Sequence, residues 1–536
     1  MAFIKIQKLK YNSDGTIRSG SASIVESIYV KGQKNHSRQV VRERLGKIVS
    51  ISEDRKSGIF MSPTRGLTSY DARSDTFSSV QSDDPGLSCR KIFSEPEIHT
   101  VFGDAYLLLC FLKNKGILDI LRAVFTNERD YEHILAHAIH GILRDGARIS
   151  CGDFLAKSFA SCLLTDVPQH FLHSDTRFFT MMGDDKIKVR FFTTFVSEMR
   201  KNNPQFGRGC YVDSTPLPND ITDNPFNALS CHGIASSSMQ IRLALVLDEK
   251  TGLPVWYDII LGNILDINTI TNIINDVAES VDVEIDSLIL DAGYISKELI
   301  QTFHNGSEKY IIGRMPARRG YPFKTLYWEE KGKIFKGKYR FARRRHTYFG
   351  VKKKIKLFNQ ELFAYIYVDQ NNALQGFQKY CLENEDDYEK MKDKDKDWYT
   401  VKYGYFVLVS NKDETPEELL TEYFERTQIE SVFKTSKDYL NLLPLSKWTD
   451  QTVREKILHD IINTIILLML RKFTLTTGSP VSSIIARTQS LMCCKTHDGY
   501  VNIETPSKQC KHYYSVFGIN IPSRLNISKF RKEILL

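Results

Sequence analysis

Hydrophobic and polar positions change period several times along this chain, and each change predicts a different kind of element. In residues 1–60, "SASIVESIYV" and "SRQVVRERLGKIVSI" alternate or carry β-branched residues between polar turns, which predicts short strands. Residues 61–95 ("SPTRGLTSYDARSDTFSSVQSDDPGLS") are rich in Ser, Asp, Gly and Pro and read as a linker. From 96 to about 202 the apolar residues recur at helical spacing, as in "YLLLCFLKNKGILDILRAVF" and "YEHILAHAIHGIL". No internal repeat is visible.

At 208 the pattern turns to strands. "RGCYVDST" predicts a short apolar strand ending in a polar loop, and "IRLALVLDEKTGLPVWYDIIL" predicts a hairpin. A helix follows with Asp266 as a plausible N-cap, then the buried strand of "IDSLILDAGY", a helix from Ser296 to Gly306, and the strand "KYIIGRM". The order β, β-hairpin, α, β, α, β predicts an α/β mixed sheet with helices packed on it. Residues 314–403 interrupt this pattern, and it resumes near Gly404 with the strand "YGYFVLVSN". "TPEELLTEYFERTQIESVFKTSKDYL" then predicts one strong helix, opened by a Thr415–Glu418 capping box with Pro416 at its first position. An apolar helix is expected over about 452–473, and 476–536 carries no assignable pattern. The expected organisation is therefore a β-rich region 1–60, a linker 61–95, a helical domain 96–204, an α/β domain in two pieces (205–313 and 404–475), an inserted domain 314–403, and an unassigned tail.

Charge sharpens the picture of the insertion. The 536 residues have a net charge of +9, but Arg314 to Lys356 alone holds 16 Lys or Arg against Glu329 and Glu330, so the rest of the chain is net negative. A concentrated basic segment of this length is the footprint of a polyanion binder, although a solvated charged face is the plainer reading. "MAFIKIQKLKY" has no apolar signal core, and the apolar run "IINTIILLML" is too short to span a bilayer, so a cytoplasmic protein without a membrane partner is expected. Ten scattered cysteines fit a reducing compartment. Cys493, Cys494, His497, Cys510 and His512 are metal-capable types, but no CxxC pair repeats, and structural thiols are the simpler reading.

Three acids stand out as candidate chemistry. Asp213 and Asp291 each sit where an apolar strand gives way to polar residues, and if those strands are parallel neighbours both carboxylates reach one sheet edge. Aspartate also ends strands merely as a turn residue. Glu430 lies in the predicted helix, where Tyr423, Arg426, Glu430 and Lys437 fall within about 60° of one another on a helical wheel. On spacing alone an Arg426–Glu430 surface pair, worth about 0.3–0.5 kcal/mol, is the simpler reading. Together, however, three carboxylates suit an all-oxygen site for Mg²⁺ or Mn²⁺. Two such ions about 3.5–4 Å apart serve phosphodiester chemistry, with Arg426 and Lys437 on nearby phosphates.

The pattern Tyr423-x2-Arg426-x3-Glu430-x6-Lys437 resembles the signature around the third acid of DDE transposases of bacterial insertion sequences, in the insertion-sequence-four superfamily. "YVDSTPL" and "LILDAGYIS" resemble its first- and second-acid motifs, and "ESIYVKGQ…VVRERLGKI" looks like its 1634-like branch. "SCHGIASSS" follows the first acid only approximately. The resemblance implies an RNase H-like catalytic core over 205–313 and 404–475, interrupted by a β-rich insertion, with Asp213, Asp291 and Glu430 as catalytic ligands of two Mg²⁺ or Mn²⁺ ions. It implies cleavage of double-stranded DNA at the element's terminal inverted repeats and joining of 3′-OH ends to target DNA, by a homodimer on DNA. DNA contacts are expected from Tyr423, Arg426 and Lys437, from Arg343, Arg344, Arg345, Lys352, Lys353 and Lys354 of the insertion, and from Trp328, which is either a stacking residue for a flipped base or part of the insertion's packing. Two rival functions stay open: a decayed or co-opted DNA-binding protein without catalysis, and a nuclease of the same fold without strand transfer.

Overall fold

The computed structural model describes residues 2–29, 37–80, 99–144, 146–221, 223–229, 239–263, 269–291, 294–304, 309–440, 442–475 and 478–535. The chain divides into two compact units, residues 1–99 with 494–496, and residues 100–493 with 497–536.

The first unit is a six-stranded antiparallel meander in which each strand pairs with the next along the chain. Its strands are longer than the sequence pattern suggests: Ala2–Tyr11, Ile17–Tyr29 and Ser37–Ile51 precede the shorter Ser57–Ser62, Gly66–Asp71 and Thr76–Ser79. Alternation buries Ile4, Ile24, Leu45, Ile48, Phe60 and Tyr70 on one side. Gly46 has φ +83° and lies so close to the Met61 carbonyl that a Cβ would stand 2.1 Å from it. The linker expected over 61–95 is corrected for its first part, because 66–71 and 76–79 are strands of this sheet. Ser and Thr are held there by ladder hydrogen bonds, on both edges of 66–71 and on one edge of 76–79. Residues 81–95 lie outside the described residues.

In the second unit, helices Gly103–Asn114, Ile117–Val124, Glu128–Leu143 and Asp185–Asn202 follow the helical periodicity. Asn127 caps the third through its side chain, and Asp184 caps the fourth. The long helix Asp450–Thr474 packs against Glu128–Leu143, against Thr176–Met182 and against the sheet strand Pro254–Leu261. The unassigned tail closes over the same helices: Tyr514 donates to the Gly103 carbonyl at 2.5 Å, Tyr131 donates to the Ile534 carbonyl at 3.3 Å, and Arg531 pairs with Glu132 at 2.6 Å.

The large sheet runs in the order Pro254–Leu261, Met239–Asp248, Gly209–Pro218, Ser287–Leu290, Tyr310–Arg314, Tyr405–Ser410, Gln360–Asp369, His346–Leu357, Arg340–Arg343. Gly209–Pro218 pairs antiparallel with Met239–Asp248 and parallel with Ser287–Leu290, which in turn pairs parallel with Tyr310–Arg314. The insertion is therefore not a separate β-rich domain. Its strands continue this sheet, since Tyr405–Ser410 bonds to Tyr310–Arg314 on one side and to Gln360–Asp369 on the other. Much of the rest of it is helical, in Phe323–Ile334, Gln370–Glu383 and Asp393–Lys402. Asp266 and Gly306 lie outside the described residues, and the first of the two helices they were expected to bound begins at Ile270.

Candidate functional site

Asp213 is not at the end of its strand, as the sequence pattern suggests, but in the middle. The Gly209–Pro218 strand stays paired to Met239–Asp248 as far as Pro218, while its parallel neighbour stops at Leu290, opposite Val212. Asp213 is thus the first residue where one edge of the strand opens, and Asp291 is the first residue past the end of the neighbouring strand. Parallel strands lie about 4.8 Å apart with in-register side chains on one face, so the two aspartates emerge side by side.

Residues from the helix beginning at Pro416 close over them. Arg426 Nη1 stands 3.0 Å from Asp213 Oδ2, and its Nη2 stands 3.7 Å from Asp291 Oδ2. The Tyr423 hydroxyl donates to Asp291 Oδ1 at 3.1 Å. Asp213 Oδ1 accepts from the Ser214 amide at 2.8 Å and from the Tyr294 hydroxyl at 3.3 Å. Arg426 is only 8% exposed and Tyr423 5%. Burial pushes the Asp213 carboxyl up even though Arg426 pulls it down, because the acid sits in a strand walled by apolar neighbours. For Arg426 burial works against the charge, yet Tyr423, Asp291, Asp213 and Glu430 together outweigh it and raise the pKa. The two shifts differ from those of a simple ion pair: one guanidinium is shared by several anionic neighbours, so each acid receives only part of its charge. Burial also pushes the Tyr423 phenol up to about 12, which keeps it a hydrogen-bond donor.

The single helix expected over 415–440 is broken. The capping box at Thr415 and Glu418 starts Pro416–Glu425 as predicted, a second helix covers Gln428–Lys434, and a π-helical turn covers Thr435–Tyr439. At the joint the amides of Arg426, Thr427 and Ile429 bond three residues back rather than four. A straight wheel therefore misplaces the later residues. Glu430 is exposed and acts on Arg426 only through its field. Among the described residues, no three His, Cys, Asp or Glu side chains gather closely enough to hold a metal ion. Lys437 comes back to the strand two residues past Asp213, where its Nζ donates to Thr215 Oγ1 at 2.6 Å and to the Pro216 carbonyl at 2.8 Å.

The insertion residues divide into two groups. Arg343, Arg344 and Arg345 form the tip of a hairpin, with Arg344 and Arg345 in left-handed backbone. That tip lies against the broken helix: Arg343 donates to the Thr421 carbonyl at 3.3 Å, Arg344 reaches Thr427 Oγ1 at 3.5 Å, and both guanidinium groups stand 5.9 Å from the Phe424 ring. Lys352 is paired with Asp413 and donates to the Glu414 carbonyl, Lys353 pairs with Glu329 at 2.7 Å and Glu330 at 3.3 Å, and Lys354 lies over Phe363. Strand alternation sends these three lysines to two faces, which splits the basic run that the sequence presents as one patch. Trp328 is partly buried beside Tyr327, between the ammonium groups of Lys331 and Lys394, each 5.2 Å from its ring. These neighbours all belong to the insertion and favour packing. Tyr294 is the site residue the sequence did not single out. Its signal was its place three residues after Asp291, on the same side of the strand end.

Residues 204–462 match the family model described as the transposase DDE domain, and this span contains Asp213, Asp291, Tyr423, Arg426, Glu430 and Lys437. No curated protein matches the chain. Among solved structures, a cryo-EM structure of the piggyBac transposase synaptic complex with hairpin DNA is similar over 81% of this chain and 79% of that chain, at 12% identity and a TM-score of 0.37.

Proposed function

We propose that this protein is a DDE transposase that cleaves the ends of its own element and joins the 3′-OH ends to target DNA. The observation that carries the reading is the register of the parallel pair: Leu290 opposite Val212 sets Asp291 beside Asp213, inside the span that matches the transposase DDE domain. The order of the large sheet, with a hairpin on one side of the Gly209–Pro218 strand and two parallel crossovers on the other, supports an RNase H-like core.

The donor set suits a hard divalent cation, since Asp213 and Asp291 offer only carboxylate oxygens and are already drawn to one cationic group. Asp213 and Asp291 would hold Mg²⁺ or Mn²⁺, with Glu430 as the third expected ligand. Such ions, when bound, activate an attacking oxygen and stabilise the leaving 3′ oxygen. The chain's own residues then have separable tasks. Tyr294 and the Ser214 amide fix the Asp213 carboxylate, Arg426 and Lys437 grip phosphates on either side of the scissile bond, and the Arg343–Arg345 tip extends that cationic surface along the duplex.

The test is an assay of the purified protein on duplexes that carry the inverted repeats flanking its gene, with Mg²⁺ or Mn²⁺. Nicked ends together with joined products are expected. Nicks without joining would instead make it a nuclease of this fold, and DNA binding without cleavage a non-catalytic DNA-binding protein.

A further inference from the structure

We infer that the Asp213–Asp291 pair is a cation site whose resident cation in the DNA-free protein is the Arg426 guanidinium, and that a divalent ion enters only as Arg426 leaves. The inference rests on the reading of the two aspartates as metal ligands and adds a gate to it.

The contacts account for every oxygen of the pair. Asp213 Oδ1 faces the Ser214 amide and the Tyr294 hydroxyl, and its Oδ2 faces Arg426 Nη1. Asp291 Oδ1 faces the Tyr423 hydroxyl, and its Oδ2 faces Arg426 Nη2. Two carboxylates emerging side by side repel each other unless a positive group stands between them, and the guanidinium is that group. Asp213 and Asp291 would hold a divalent ion through the carboxylate oxygens that face the guanidinium, so the ion and Arg426 would compete for the same groups. Arg426 and the ion are therefore alternatives.

Two features make Arg426 able to leave. Among the described residues its Nε is buried without a hydrogen-bond partner, so the guanidinium is incompletely satisfied by them. It also sits at the joint between Pro416–Glu425 and Gln428–Lys434, where the amides bond three residues back rather than four. What draws it away is a phosphate, which matches the guanidinium fork bidentately. DNA and the divalent ion would then assist each other's binding: the phosphate takes Arg426, and the freed carboxylates take the ion. The free protein would be kept from holding a reactive metal without its substrate.

The test is Mn²⁺ binding, read by isothermal titration and by the electron paramagnetic resonance signal of free Mn²⁺, with the full-length protein. The Asp213-dependent part is the difference between wild type and Asp213→Asn. Without DNA, Arg426→Gln is expected to tighten that part about 5–150-fold, the usual range for a coupling between two binding events. A short duplex should tighten it in wild type and leave Arg426→Gln unchanged. Asp213-dependent binding that is no tighter in Arg426→Gln overturns the gate while the metal-site reading stands. Mn²⁺ binding that is indifferent to Asp213→Asn overturns both. If Arg426→Gln does not fold by circular dichroism, the wild-type comparison with and without duplex decides, and no tightening overturns the gate.

Discussion

Lys437 and Thr215 meet at 2.6 Å, ammonium to hydroxyl, although 222 residues separate them in the chain. Thr215 points to the same face of its strand as Asp213, two residues away, so the contact fixes where the π-helical turn lies relative to the first acid. A lysine held in this way has its stem and position set before any phosphate arrives.

Lys437→Ala is therefore expected to weaken binding to all duplexes by a similar factor, with the slope of log affinity against log salt falling by roughly one unit. Fluorescence anisotropy at several salt concentrations checks this. A sequence-dependent loss with an unchanged slope would assign Lys437 to base contact instead.

On the proposed function, alanine at Asp213 or Asp291 is expected to bring DNA cleavage below detection while retaining most end binding, because a carboxylate assigned to the metal contributes no attraction for phosphate. Glu430→Ala is the sharper case. Exposed as it is, Glu430 at wild-type activity in the alanine variant would remove it from the catalytic set, and loss of cleavage with intact binding would place it there. Arg426→Ala should reduce cleavage, and an unchanged rate would leave only a structural ion pair.

The tail is a stabilising element of the helical region. Arg531 bridges Glu132, whose side chain is fully buried, and also Asp166 at 3.0 Å. Arg531→Ala leaves a buried carboxylate without its cation and is expected to cost about 3 kcal/mol of stability. Urea denaturation of the variant measures it, and a loss below about 0.5 kcal/mol, the size of a surface substitution, would contradict the assignment.

Four histidines predict a weakness toward acid. Burial lowers His133 and His140 to about 4, and it places His137 and His459 well below the ordinary value. The unfolded chain takes up these protons near pH 6.5 and the folded chain only near 4 or lower, so the stability is complete above pH 6.5 and is lost as the pH falls toward 4. By pH 5 His133 and His140 would each cost about 2 kcal/mol relative to neutral pH. A urea midpoint that stays constant between pH 7 and 5 would refute this.

Much of the architecture follows from local pattern. The capping box at Thr415, the hairpin around Lys250–Gly252 and the apolar strand ending at Leu290 are each fixed by residues close in sequence, and all three form as the pattern predicts. The strands at 66–71 and 76–79 are not legible in the sequence because Ser- and Thr-rich segments look like linker until their neighbours supply the hydrogen bonds. The spread of the basic insertion over two faces was hidden for a related reason, since composition has no direction and strand pleat does.

By itself, then, the sequence determined which residues could do the chemistry: two aspartates after apolar strands and a Tyr, Arg, Glu, Lys series on one helical stretch. Only the tertiary structure decided which of them meet. Register between strand positions 78 residues apart put Asp213 beside Asp291. A joint of three-residue hydrogen bonds separates Arg426, which lies on the acids, from Glu430, which is left in solvent, and a π-helical turn carries Lys437 back to Thr215. Side-chain type is a local property of the chain. Proximity is set by long-range pairing and by small departures from ideal helix geometry, which no window of sequence contains.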